Sequence, residues 1–176
     1  TNTLSSVAGE LLHAGEQQLQ ITAQNLQGQQ GKIQSNNNLK MDLGTANLDN
    51  ATTAAQNINL TATELSHQHG QLIQSDANGQ LNINVAQTLN NTSGVISAAG
   101  NASIQTADLN NQQAVIQTLA GKDLKITSQK LDNQSGKIIA GRDANLNVQQ
   151  LNNDQGTVYA DGKLDVIAAQ NISNQK

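Results

Sequence analysis

Two aspartates, Asp123 and Asp143, stand at matched points of two successive stretches of this 176-residue chain, each just after a basic residue, Lys122 and Arg142. Lys163 continues the basic column. Paired carboxylates at such points could run acid–base hydrolysis of a glycan or bridge two metal ions. His67 and His69, spaced i and i+2, would aim two imidazoles to one side of a strand, the geometry of a surface metal clip. Neither constellation has the rest of the machinery. The other acidic residues, among them Glu10, Glu16, Asp42, Asp49, Glu64 and Asp76, are scattered mostly through turn-formers. Sugar-cleaving sites lean on aromatic platforms, and Tyr159 is the only aromatic residue in the chain. An acid beside a base in a turn reads as a solvated, self-neutralising corner. His67 stands where other stretches have Asn, without an obvious carboxylate partner. The expectation is therefore no catalytic residue, no cofactor and no metal ligand. Phosphate-binding glycine loops are missing as well.

What must carry these residues is an unusual core. There is no Trp, Phe, Pro or Cys, and Met41 is the only methionine. Aromatic rings normally supply the largest buried blocks of a globular core. Here Leu, Ile, Val and Ala are spread thinly and evenly, so the core has to be narrow. Asn and Gln make up roughly a quarter of the residues, while charged residues are only 12%. That composition fits either a low-complexity segment or a strictly periodic one, and periodicity decides between them. A net charge of −4 argues against nucleic acid, which selects basic patches. No apolar run of about 18 residues occurs, so no transmembrane segment is expected. The pattern starts and stops in mid-phrase, as in a piece of something longer.

The periodicity is plain near the C-terminus. LDNQSGKIIAGRDANLNVQQ from Leu131 is followed by LNNDQGTVYADGKLDVIAAQN from Leu151. The shared frame is Leu-x-Asn-x-x-Gly-x-Ile/Val-x-Ala, a turn, then a Leu-x-Ile/Val pair. Copies begin near residues 4, 26, 48, 65, 89, 109, 131 and 151, with a partial one at 172. The frame glycine recurs as Gly9, Gly31, Gly70, Gly94, Gly136 and Gly156, with Thr53 and Ala114 as exceptions. The frame asparagine recurs as Asn50, Asn91, Asn111, Asn133, Asn153 and Asn174. Within a copy, apolar residues alternate, as in Leu81-x-Ile83-x-Val85, and period two means strand.

A copy of roughly 20 residues with three short strands cannot bury an apolar face alone. Stacked on its neighbours about 4.8 Å apart, each strand gains a partner above and below. The sequence thus predicts an all-β chain: a right-handed parallel β-helix of about eight coils, three strands per coil, forming one segment over residues 1–176. The hand follows from the right-handed bias of parallel crossovers. Leu26, Leu48, Leu65, Leu89, Leu109, Leu131 and Leu151 should line the core. The Asn column should bond like on like along one corner, and the glycine should need positive φ or close packing. The stretch 48–64 reads as the weakest coil, lacking the middle Gly-x-Ile strand and cutting a corner.

The runs LDNQSGKIIAGRDANLNV and LNNDQGTVYADGKLDV resemble the repeats of filamentous haemagglutinin-type proteins, large bacterial exoproteins of two-partner secretion systems that include adhesins and contact-dependent growth inhibition filaments. The resemblance spans Leu4 to Asn174. It implies secretion to the cell surface through an outer-membrane transporter partner, and a fibre that presents distal adhesive or toxin domains. Nothing in the chain is similar to the secretion domain or the toxin of such proteins.

Two functions follow. One is a structural stalk. The other is a binding module, whose polar face meets a glycan or an outer-membrane protein of a target cell. Binding hot spots are enriched in Trp, Tyr and Arg, and Tyr159 and Arg142, expected near each other in successive coils, are the only such residues. End coils with unpaired strand edges are expected to associate end to end.

Overall fold

The computed structural model describes residues 2–176. Alternation of Leu, Ile and Val with polar residues produces strand throughout, and there is no helix among the described residues. In chain order the strands are β1 (Thr3–Ser5), β2 (Glu10–His13), β3 (Leu19–Gln27), β4 (Lys32–Ser35), β5 (Asn38–Asn47), β6 (Thr52–Ala55), β7 (Asn57–Ala62), β8 (Glu64–Ser66) and β9 (Gln71–Gln74). They continue as β10 (Gln80–Asn90), β11 (Val95–Ala98), β12 (Asn101–Asn110), β13 (Val115–Thr118), β14 (Leu124–Asp132), β15 (Lys137–Ala140), β16 (Ala144–Asn152), β17 (Thr157–Ala160) and β18 (Leu164–Ser173).

All pairings are parallel, and they form two sheets. One runs β1-β3-β5-β7-β10-β12-β14-β16-β18, with β8 beside β5 and β10; the other runs β2-β4-β6-β9-β11-β13-β15-β17. The chain is thus a parallel β-solenoid of about nine turns, one more than the repeat count suggests. Nine tiers at about 4.8 Å make a rod roughly 40 Å long.

Three strand segments per coil are present, but two of them run together. In β16 the burial pattern alternates from Ala144 to Val148, breaks at two exposed residues, Gln149 and Gln150, and resumes at Leu151. The break is a corner inside one continuous strand. The partnership of β16 with β18 shifts register at the same place. Only one coil separates the segments, as β7 and β8.

The leading leucines stack in register: Leu4 on Leu26, Leu26 on Ala46, Ala46 on Leu65, Leu65 on Leu89, and on through Leu109 and Leu131 to Leu151 and Ile172. Leu26, Leu48, Leu65, Leu89, Leu109, Leu131 and Leu151 are all buried. Burying each such side chain contributes about 1.5–3 kcal/mol.

The third coil corrects the parse. Its leading residue is Ala46, not Leu48, because Ala46 is what pairs with Leu26 and Leu65. The frame therefore begins two residues earlier than the Leu-Asp-Asn string suggests. This coil does cut one corner, a single residue, Gln56, linking β6 to β7. It keeps its middle strand, β6, with Thr53 in the column between Ile33 and Leu72. Threonine hides the strand from an aliphatic search.

Candidate functional site

One β-turn recurs in eight successive tiers and positions a column of inward-facing residues inside the rod. The amide of Gly94 donates to the carbonyl of Asn91 at 2.8 Å, and the same bond joins Gly9 to Ser6, Gly31 to Gly28, Ala51 to Leu48, Gly70 to His67, Ala114 to Asn111, Gly136 to Asn133 and Gly156 to Asn153. Aspartate or asparagine just before the turn helps to close it. Asn90, Asn110, Asp132 and Asn152 each accept the backbone amide two residues on, at 3.0–3.1 Å. This is the Asx motif that such residues form in turns.

Positive φ falls on the residue before the glycine, not on the glycine. Ala8, Gln30, Asn50, His69, Ser93, Gln113, Ser135 and Gln155 have φ of 52–60°, whereas the only positive-φ glycine is Gly121 in another corner. A left-handed residue with a side chain costs about 1–2 kcal/mol, and here it is held by tier-to-tier bonds, such as Ser93 N–H to Gln112 O at 2.9 Å. The frame glycines serve close packing. A Cβ on Gly94 would lie 2.6 Å from the His67 carbonyl oxygen, and one on Gly31 would lie 2.6 Å from that of Ser6. For Gly136 and Gly156 the obstruction is the carbonyl of Asn111 or Asn133.

The first residue of the turn points inward and builds a ladder. Asn91 Nδ2 donates to Asn111 Oδ1 at 2.8 Å, Asn111 to Asn133 at 2.7 Å, Asn133 to Asn153 at 2.6 Å, and Asn153 to Asn174 at 2.9 Å. Asn91, Asn111 and Asn133 are completely buried. His67 occupies the rung below, its Nδ1 2.8 Å from Asn91 Oδ1. Asn50 is not a rung. It is the exposed left-handed residue of its turn, and Leu48 takes the inward place. The glycine exception in that tier is accordingly Ala51 rather than Thr53. Below Leu48 the column holds Gly28 and Ser6, so the ladder covers only the upper tiers.

The acid column is also spent on structure. Asn101 Oδ1 accepts the Asp123 amide at 3.0 Å, Asp123 Oδ1 accepts that of Asp143 at 3.3 Å, and Asp143 Oδ1 accepts that of Lys163 at 2.8 Å. Arg142 adds a two-pronged ion pair to Asp123, with Nε 2.6 Å from Oδ1. The guanidinium beside it holds the Asp123 carboxyl below its ordinary value. The Asp154 carboxyl is lowered by the Ser173 hydroxyl and the Gln175 amide. A general acid needs the opposite shift. Lys122 and Lys163 flank this corner, and Lys163 pairs with Asp165 at 2.7 Å.

The two histidines do not share a side. They belong to the turn rather than a strand, so His67 is buried and His69 is exposed. No group of three metal-ligating side chains exists among the described residues. Tyr159 and Arg142 face different acids, the phenol donating to Asp161 at 3.1 Å and the guanidinium to Asp123.

Other buried polar residues were not signalled by the sequence frame. Gln74, at the end of β9, donates to the carbonyl of Asp76 at 2.6 Å and accepts the Gly100 amide at 2.8 Å. Thr106 donates to the Gln87 carbonyl at 2.9 Å, and Thr118 to that of Lys122 at the same distance. Their columns hold alanine, serine or valine in neighbouring tiers, so no repeated letter betrays them. Outside, the bend within the long strands forms a groove of about 530 Å³ along the rod, bordered by Asn84, Gln105, Thr127 and Asn147.

Stacked coils, an amide ladder and carboxylates tied into the backbone define a structural repeat protein. The haemagglutinin repeat model matches residues 76–133 and again residues 118–176. Together these cover more than half of the chain, which belongs to the haemagglutinin repeat family. No curated protein and no solved structure is matched by the chain.

Proposed function

We propose that this chain is a stalk segment of a filamentous haemagglutinin-like exoprotein, displayed on or released from a bacterial surface, which holds distal adhesive or toxin domains away from the cell. The observation that carries the reading is the ladder with its aliphatic columns. Each tier pairs with its neighbours through the same two parallel sheets, so length is added without changing the cross-section, and stability is a sum of neighbour terms. Such a rod transmits reach. Its carboxylates are engaged in holding corners, which leaves a rod rather than an enzyme as the economical interpretation. Passage across the outer membrane through a transporter partner belongs to the same proposal; no helix here is long and apolar enough to cross a membrane.

The test is deletion of residues 109–150 in the whole exoprotein. Because Leu109, Leu131 and Leu151 are stacked equivalents, the deletion removes two tiers and rejoins the columns. A stalk keeps target-cell engagement, with reach shortened by about 10 Å. Complete loss of engagement by a folded, exported protein would instead assign a receptor site to this segment, the groove beside Thr127 and Asn147 being the surface removed.

A further inference from the structure

The ladder stops at His67, the one member of its column able to gain a proton near neutral pH. The tautomer of its neutral ring is set by the amides above. Asn111 Nδ2 gives its second proton to the Lys137 carbonyl at 3.3 Å, Asn133 Nδ2 to those of Thr157 at 3.2 Å and Gly136 at 3.4 Å, and Asn153 Nδ2 to that of Gly156 at 3.3 Å. Those carbonyls hold the nitrogens, so every Oδ1 faces the preceding tier, and Asn91 Oδ1 faces His67 Nδ1. An acceptor there requires a proton on Nδ1, and a neutral ring then has none on Nε2. Nε2 is buried with no hydrogen-bond partner. It lies against Gly70, where a Cβ would come within 2.7 Å. In the tier beneath, the column holds Leu48.

We propose that His67 is a proton-operated weak joint in the rod: neutral and protonated on Nδ1, it couples the amide ladder to the aliphatic tiers below, and a second proton on Nε2 places a cation in a fully buried site and loosens the tiers on either side. The turn above, Asn91–Gly94, brings no ionisable group to the ring. The turn below brings Asp49, whose Oδ1 already accepts the Ser66 hydroxyl at 2.7 Å and the Gln68 amide at 2.8 Å. His69, in the same turn as His67, is exposed and faces away.

Burial holds the His67 imidazole below its ordinary value of 6.5, against the opposing pull of Asn91, the Gln71 backbone and Asp49. The unfolded chain therefore takes up the proton first. The contribution of this site to stability is complete above about pH 6.5 and declines as pH falls from there toward the folded midpoint. Within that window the folding constant drops by up to tenfold per pH unit.

The test follows the ring nitrogens of the 176-residue chain by heteronuclear NMR, with hydrogen exchange and urea unfolding from pH 7.5 to 5. Expected are the Nδ1–H tautomer at pH 7.5, no protonation of folded His67 around its ordinary value of 6.5, and acid-dependent exchange concentrated in residues 48–74. His67→Asn, which supplies the amide its neighbours use, should remove that increment, while His69→Gln keeps it. An Nε2–H tautomer, an ordinary His67 titration, or equal pH dependence in the original chain and His67→Asn would overturn the proposal. If His67→Asn does not fold, the ring spectrum of the unaltered chain decides alone.

Discussion

The tiers led by Leu4, Leu26 and Ala46 and the tiers from Leu65 upward use the same turn, the same parallel ladders and the same aliphatic columns, yet they fill one inward place differently. The lower three put Ser6, Gly28 and Leu48 there; the upper ones put His67 and then five asparagines. The family match begins at residue 76, in the part that carries the ladder. Stacking therefore does not depend on the amides. Backbone bonds between tiers and a narrow core of Leu, Ile, Ala and Met41 are sufficient below Leu48. What the ladder adds is specificity of register. A buried amide with two donors and an acceptor to satisfy fits only opposite another amide and the neighbouring carbonyl, whereas an aliphatic column tolerates any neighbour of similar size.

The largest test of this contrast is Asn133→Leu, which imports into the upper tiers the solution used at Leu48. It strands the Asn111 donor and the Asn153 acceptor in a buried column, and two unpaired buried groups at about 1–3 kcal/mol each give a loss of about 2–6 kcal/mol in urea unfolding. A neutral outcome would mean that the columns are interchangeable. Leu48→Ala comes next. It removes a fully buried side chain from the lower tiers, and the cavity should cost about 2–5 kcal/mol by the same measurement. A negligible cost would show those tiers to be loosely packed.

Thr53→Val runs in the other direction. The Thr53 hydroxyl is buried without a partner, and a side chain of the same shape without the oxygen should raise stability by about 1–2 kcal/mol, read as a higher urea midpoint. The smallest effect is expected for Asp123→Asn. The amide oxygen can still accept the Asp143 N–H, as Asn101 does one tier below, and only an exposed ion pair to Arg142 is lost. Exposed pairs contribute little, so the midpoint near pH 7 should not move measurably. Because the Asp123 carboxyl is held below its ordinary 3.8, what the pair contributes is present above that value and is lost as pH falls below it.

Much of this was legible beforehand because a solenoid repeats its own evidence. Leu131 and Leu151 are twenty residues apart and stacked because the same letters recur at the same phase, and the ladder from Asn91 to Asn174 is visible for the same reason. The failures are equally local. Asn50 mimics a rung because Leu48-Asp49-Asn50 copies the frame two residues late; only the pairing of Ala46 with Leu26 exposes the offset. Thr53 conceals a strand because its hydroxyl is polar while its shape suits the column. The glycines left positive φ and close packing both open; they serve close packing, and the positive φ falls on the preceding residue, where Ser, Gln, His and Ala give no common signal. Gln74 and Thr106 share their columns with Thr118 and Ser128 but with no repeated letter, and could be found only from the folded chain.

The corner between the short strand and the next long one has its own consequence. It holds a single residue, Gln56, between β6 and β7, yet residues 75–79 fill it between β9 and β10, and residues 119–123 between β13 and β14. The aliphatic columns run past unbroken in each case. Most of the variation in repeat length is thereby discharged on one flank, the bends inside β10 and β18 each taking one further residue, and a cargo peptide or fluorophore anchor spliced between Asp76 and Gly79 would hang from that flank as from a rail. Several such grafts, set in chosen tiers, would be spaced along it in steps of one strand separation.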